Sequence, residues 1–222
     1  MKFVHPEINT VFDLENGKIN TLIIENPSFF FRLLTDISTQ INGGEGTSVL
    51  SVENSIVDFP HHAEILDGFI SFELNRKTLL TKITSALEKE ALSPEYYEDS
   101  MQCLQTVESF LNEVCFAFPC DIVFSKLTVG SLIKSCSPEL RDAHTGLADK
   151  IIDYFELVGE FDRKKTFFTV NLRSYINDND YSLFAETVIS HGYQVLMIEN
   201  HEKERISNER RVIIDSDLCE IC

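Results

Sequence analysis

The spacing of apolar residues changes character twice along the chain. Asn20-Thr21-Leu22-Ile23-Ile24-Glu25 is a short β-branched run, and after Asn26-Pro27-Ser28 the apolar positions continue as Phe29-Phe30-Phe31-Arg32-Leu33-Leu34-Thr35-Asp36-Ile37. This predicts a strand, a turn and a helix. Proline suits the first helical turn, so the helix starts near Asn26 or Pro27, and it stops before Gly43-Gly44. Residues 47–52 and 69–72 read as further short strands. Toward the other end, residues 166–172 predict a strand, 181–190 a helix closed by Gly192, and 194–199 a second strand. That is a βαβ unit of the length a parallel crossover needs, and residues 211–215 add one more strand.

The middle of the chain is helical throughout. Leu79, Leu80, Ile83, Ala86 and Leu87 recur at helical spacing, and Ser93-Pro94-Glu95 then reads as cap, first-turn proline and acidic first turn. The next helix carries Tyr97, Met101, Leu104, Val107, Leu111, Val114 and Phe118 and is stopped by Pro119. A short helix over 128–135 and a third long one over about 138–158, with Leu147, Ile151, Phe155 and Val158 on one face, complete the segment. The expected fold class is α/β: a head domain of residues 1–72 and 163–222 with a mainly parallel sheet, interrupted by an α-helical leg domain of residues 73–162.

Composition narrows the function. Of 222 residues, 43% are apolar and 25% charged, enough for a sizeable core. The longest apolar runs fall far short of the roughly 18 residues of a membrane helix. The first six residues carry one lysine and no apolar signal core, so a cytoplasmic protein is expected. The six cysteines, at 103, 115, 120, 136, 219 and 222, show no framework spacing and are expected as reduced thiols. Nineteen Lys and Arg against 36 Asp and Glu leave −17, an unfavourable long-range field for a polyanionic ligand. The imbalance is concentrated in residues 1–162, since 163–222 carry 8 basic and 10 acidic residues.

Motifs for catalysis are weak. At the strand-to-helix junction where a phosphate loop belongs, Glu25-Asn26-Pro27-Ser28 has neither glycine nor lysine, and the proline removes an amide donor. Gly43-Gly44-Glu45-Gly46-Thr47-Ser48 is glycine-rich but follows its helix and carries an acid in place of the cation. Asp58, His61, His62 and Glu64 are metal-ligand types, yet they read as an exposed loop, because adjacent histidines diverge on any regular element. Cys219 and Cys222 have CxxC spacing without the second pair of a zinc ribbon, and read as a frayed terminus. No enzyme is indicated. In the helical segment, Lys82 and Lys89 share a helix face, Lys126 and Lys134 bracket the short helix, and Arg141 and Lys150 flank the third; on spacing alone these are solvated surface. Asp121 and Glu113, either side of Pro119, are two oxygen donors of the kind calcium accepts, and as an isolated pair they too read as surface.

An ordered set of segments carries more information than any of these. Leu14-Glu15-Asn16-Gly17-Lys18 with Thr21-Leu22-Ile23-Ile24-Glu25, then Leu127-Thr128-Val129-Gly130-Ser131-Leu132-Ile133-Lys134, then Lys164-Lys165-Thr166-Phe167-Phe168-Thr169-Val170-Asn171 and Gln194-Val195-Leu196-Met197-Ile198-Glu199, resembles the small spacer-acquisition protein family of subtype II-A CRISPR systems, nearly end to end. The resemblance implies a head related to ATPase cores but stripped of the phosphate loop, a helical leg, and a homotetrameric ring. It further implies calcium-stabilised rings that take double-stranded DNA without sequence preference, and contact with the integrase subunits and effector nuclease of the same system. The DNA-facing cations are then Lys126, Lys134, Lys82 and Lys89, and the Ca2+ ligands Asp121 and Glu113. Where a further acid would be looked for on the following helix, the chain has Ser131. A ring reconciles the charge: scarce lysines can converge on a channel while acids face outward or hold calcium, and backbone contacts position DNA without reading sequence. The alternative is an acidic scaffold that recruits other acquisition proteins and touches DNA incidentally.

Overall fold

A computed structural model describes residues 1–15, 17–141, 144–162 and 165–221. Asn16 and Lys164 of the segments quoted above, Arg163 at the expected domain boundary, residues 142 and 143 of the expected third helix, and Cys222 of the CxxC pair lie outside the described residues. The fold is mixed α/β. Its contacts divide the chain into one unit of Met1–Glu73 with Ala143–Cys222 and a second of Leu74–Asp142.

The first unit is built on a six-stranded sheet of β3 (Ile19–Ile24), β6 (Ala63–Leu66), β7 (Thr166–Val170), β8 (Gln194–Glu199), β9 (Glu209–Ile214) and β10 (Glu220–Ile221). The spatial order is β10-β9-β3-β8-β7-β6, parallel except for β10. Strands β3, β7 and β8 are buried at every position, as expected when both faces of a parallel sheet are covered. Because side chains alternate between faces, Phe168, Leu196 and Ile198 pack into one core with Leu22, Ile24, Val212 and helix α1 (Pro27–Ile41). Asn26 caps α1, its side chain accepting the Phe29 N–H at 3.0 Å, and Pro27 opens it. Phe29, Leu33 and Ile37, one helical turn apart, are its buried face. This core is shared with a four-stranded antiparallel sheet of β1 (Lys2–Val4), β2 (Phe12–Asp13), β4 (Val49–Val52) and β5 (Ser55–Val57), in the order β2-β1-β4-β5.

The opposite face, with Phe167 and Val195, is covered by α6 (Leu147–Phe161) and α7 (Asp178–His191). The ring of Phe155 stacks on Phe167 with centroids 4.0 Å apart and meets Phe184 at 6.1 Å and Tyr193 at 5.7 Å. Tyr154 donates its hydroxyl hydrogen to Glu64 and packs edge-on against Phe72 at 5.7 Å. Helix α7 is capped by Asn177, which accepts the Asp180 N–H at 2.9 Å, and closed by Gly192 at φ 69°, a left-handed position glycine adopts without penalty.

The second unit holds α3 (Lys77–Ala91), α4 (Tyr97–Cys115) and α5 (Val129–Ser135). Asn75 ties the unit's two ends together, its amide accepting the Leu140 N–H at 2.7 Å and donating to the Leu140 carbonyl at 3.1 Å. Helices α3 and α5 pack closely: a Cβ on Gly130 would fall 2.5–2.6 Å from the Glu88 carboxylate, so glycine allows that approach.

Several expectations need correction. The long helix expected from 138 to 158 starts only at Leu147, runs through Gly159 to Phe161, and belongs with the α/β unit. Its face of Ile151, Tyr154, Phe155 and Val158 covers the parallel sheet. The strand expected at 69–72 is a turn whose Phe69 and Phe72 are buried. The loop expected around Asp58–Glu64 is instead a short helix α2 (Phe59–His62) running straight into β6. Asp58 and His61 do lie exposed, but His62 and Glu64 are half-buried, and Ala63–Leu66, Glu64 included, pairs with β7 as an edge strand.

Candidate functional site

At the β3-to-α1 junction two of the donors a phosphate would need are absent or engaged. Pro27 has no N–H, and the Phe29 N–H is taken by Asn26, whose amide also donates to the Ser216 carbonyl at 2.9 Å. The glycine-rich segment before β4 is engaged in the same manner. Asp36 accepts the Thr47 N–H at 2.6 Å, the Ser48 N–H at 2.9 Å and the Thr47 hydroxyl at 3.2 Å. Burial raises the pKa of this carboxyl, but the hydrogen bonds from Ser48 and Thr47 outweigh it and hold Asp36 below its ordinary range. An internal carboxylate therefore fills the nest an external anion would occupy.

Asp58 accepts from Nδ1 of His61 and lies 3.1 Å from Nδ1 of His62, so one carboxylate orients both rings. The hydrogen bonds of His61 and His62 to Asp58 hold its carboxyl below the usual value. Among the described residues no group of three or more His, Cys, Asp or Glu side chains is arranged to hold a metal. Asp121 lies in exposed coil and Glu113 on an exposed face near the end of α4. Two exposed carboxylates do not supply the six to eight oxygens calcium takes, so within one chain the residues present do not fit the ion. Ser131 is not available to add a donor: it forms a capping box with Thr128, its hydroxyl accepting the Thr128 N–H at 2.9 Å while its own N–H donates to Thr128 Oγ1 at 3.1 Å.

The four lysines all fall in the helical unit, on or beside its packed α3 and α5. Lys82 is half-buried on α3, and Lys89 is exposed in its last turn. Lys126 is exposed in the coil before α5, and Lys134 in the last turn of α5, where a cation complements the helix dipole. Residues 74–142 carry 7 basic and 10 acidic side chains, against 12 and 26 over the remainder. The unit with the lysines is thus the less acidic one. It also exposes unusual apolar surface. Helix α4, 19 residues long with apolar residues at helical spacing, buries none of them fully, leaving Met101, Leu104, Val107 and Leu111 half-buried. Beyond it, Phe116 is 88% exposed and Val123 93%, with Phe118 and Phe124 half-exposed.

Over residues 40–218 the chain matches the Cas_Csn2 family of CRISPR-associated proteins. It belongs to that family. This is the spacer-acquisition family of subtype II-A systems to which the ordered segments pointed, and the match spans both units. No curated protein sequence matches the chain. None of the described helices is long and apolar enough to cross a membrane.

One cluster went unnoticed in the sequence. Glu199 ends β8, and Glu209 and Arg211 lie on β9, all buried. Arg211 donates to Glu209 at 2.8 Å, and the Arg173 guanidinium lies over the Tyr181 ring at 4.1 Å. Burial, reinforced by the Glu209 charge, pushes the Tyr181 hydroxyl well above its ordinary value. The available signal was a run of charges, Glu209-Arg210-Arg211, opening an otherwise apolar strand.

Proposed function

We propose that this protein binds double-stranded DNA without sequence preference and without catalysis, as a homotetrameric ring acting in spacer acquisition. Family membership supplies the process. The observation that carries the assembly is α4, an amphipathic helix whose stripe of Met101, Leu104, Val107 and Leu111 is only half-buried within its own chain, with Tyr97, Phe110 and Val114 exposed. A half-covered apolar face of that length, continued by exposed Phe116 and Val123, is what a subunit contact requires. Lys126, Lys134, Lys82 and Lys89 are the DNA contacts, gathered in the unit with the weaker negative charge. Asn26 and Pro27 at the position of a phosphate cradle, and Asp36 on the amides of Thr47 and Ser48, favour a non-catalytic head. Ca2+ joins this reading only with donors from a second chain, because Asp121 and Glu113 alone leave its shell incomplete. The integrase subunits and effector nuclease of the same system are the expected protein partners.

Size-exclusion chromatography with calcium or with chelator, beside gel shifts on linear duplex, tests the proposal. A calcium-dependent tetramer that shifts duplexes of unrelated sequence is the expected result, and a monomer that leaves duplex unshifted at every calcium level overturns it. Lys126→Glu with Lys134→Glu should weaken binding and flatten the salt dependence, by about 0.9 in the logarithmic slope for each phosphate no longer neutralised. The strongly acidic α/β unit favours the scaffold as second reading. If the double variant abolishes DNA binding while spacer acquisition is unchanged, the scaffold is the function.

A further inference from the structure

Residues 200–208 form a strap from β8 to β9, and its attachments to the α/β unit are polar. The Asn171 side chain, on a residue held at φ 55°, accepts the Asn200 N–H at 2.9 Å. Arg173 donates to the Glu204 carbonyl at 2.8 Å, and Lys203 donates back to the Arg173 carbonyl at 2.9 Å. Arg211 binds both the Glu202 carboxylate and the Lys203 carbonyl at 2.8 Å, while Glu209 accepts the Ile206 N–H at 3.3 Å. Ile206 is the strap's one apolar side chain and is only half-buried. A segment fixed by charge and hydrogen bonds, with little apolar burial, belongs to the low-stability end of local opening.

Beside these anchors sits Glu199, 1% exposed. Its Oε1 accepts the Arg173 N–H at 3.2 Å, while Oε2 has no hydrogen-bond partner among the described residues. The charged and titratable groups that act on Glu199 are Arg173 from the turn after β7, Tyr181 from α7, Glu209 from β9 and Lys203 from the strap, while Asp178, Glu202 and Arg211 engage these same groups or the strap. Asp178 is engaged by Arg173 at 2.9 Å, and Glu202 and Glu209 by Arg211 at 2.8 Å, so none of these cations is dedicated to Glu199. A buried carboxylate with one oxygen unfilled and Glu209 nearby favours its neutral form.

We propose that the 200–208 strap is a proton-sensitive latch, closed over the sheet while Glu199 is protonated and loosened when Glu199 ionises. Burial raises the Glu199 carboxyl to about 7, against the lowering by the Arg173 N–H and the charges of Arg173 and Lys203, so opening grows as the pH rises above the ordinary value of 4.5 and levels off above about 7. Opening releases Lys203 and Arg205 and uncovers Arg211 on β9 and Arg173 at the carboxyl end of β7, where open α/β sheets present their ligand-binding edge. The latch does not depend on the ring or on DNA.

Native-state hydrogen exchange of the Arg173 and Ile206 amides, both bonded to carboxylates, tests it on the intact chain. After correction for the intrinsic rate, opening should rise about tenfold between pH 6 and pH 8, the change expected when a group titrates near 7 closed and at its ordinary value open. Glu199→Gln should remove the step. His201→Gln should keep it, excluding the imidazole on the strap. Lys203→Met, which takes away a cation that lowers the Glu199 value, should move the midpoint upward, and this measurement stands if the Gln variant does not fold. A flat wild-type profile, a step that survives Glu199→Gln, or a midpoint that falls in Lys203→Met overturns the proposal.

Discussion

Replacing Phe155 by alanine asks which unit α6 belongs to energetically. The side chain is 0% exposed and its ring touches three others, at 4.0 Å to Phe167, 5.7 Å to Tyr193 and 6.1 Å to Phe184. Removing a fully buried phenyl forfeits about 1.5–3 kcal/mol of transfer free energy. Each aromatic pair adds about 0.5–1.5 kcal/mol, and the cavity carries its own penalty. Partial collapse of the site offsets some of this, so about 3–5 kcal/mol is expected, a large share of the roughly 5–15 kcal/mol typical of a domain. The chain has no tryptophan, so urea unfolding is followed by far-ultraviolet circular dichroism and tyrosine fluorescence. Phe116→Ala is the matched control. At 88% exposure it should change the stability of dilute, monomeric protein by no more than about 0.5 kcal/mol. If Phe155→Ala costs less than about 1 kcal/mol, or weakens the helical unit and spares the α/β unit, the packing argument for α6 fails.

Three further outcomes follow from the same geometry. Because Glu199 titrates near 7 when folded and at 4.5 ordinarily, its contribution to stability is fully present below 4.5 and is lost as the pH rises through 7. The interval is worth about 3 kcal/mol at about 1.36 kcal/mol per pH unit, and urea midpoints of Glu199→Gln measured across that range should lack it. Asp36 has the opposite sign: held below its ordinary value, it contributes stability at neutral pH that disappears as the pH falls through the carboxylate range. Asp36→Asn, losing charge-assisted acceptance from Thr47 and Ser48, should cost about 1–3 kcal/mol at pH 7 and less in acid, read by thermal unfolding at pH 3 and 7. Asn26→Ala removes the α1 cap and should cost about 1 kcal/mol in the same assay, whereas a neutral result would mean that water or Ser28 replaces the cap.

Local pattern determined a definite part of this protein. β3 and its junction with α1 lie where the apolar run, Asn26 and Pro27 placed them, because capping and proline geometry involve only neighbouring residues. The β7-α7-β8 unit was equally legible: its strands are buried on both faces and so read as continuous apolar runs, and Gly192 marks the helix end. Family membership was carried by the order of such segments. Less was visible wherever a residue's role depends on what lies opposite it. The helical spacing of Ile151, Phe155 and Val158 announced an apolar face but not its partner, and it is the parallel sheet that covers it. The same periodicity in α4 implied a buried stripe, yet within one chain Met101, Leu104, Val107 and Leu111 reach only partial burial. Ser131 and the Asp121 and Glu113 pair could be weighed as ligands in sequence, but only the fold commits Ser131 to a cap and leaves the two acids on exposed surface. Glu199 looked like the polar end of a strand. Its burial, its unfilled oxygen and the charged strap beside it arise from strands β8 and β9, brought to either side of β3 by long-range pairing, which no local window of sequence contains.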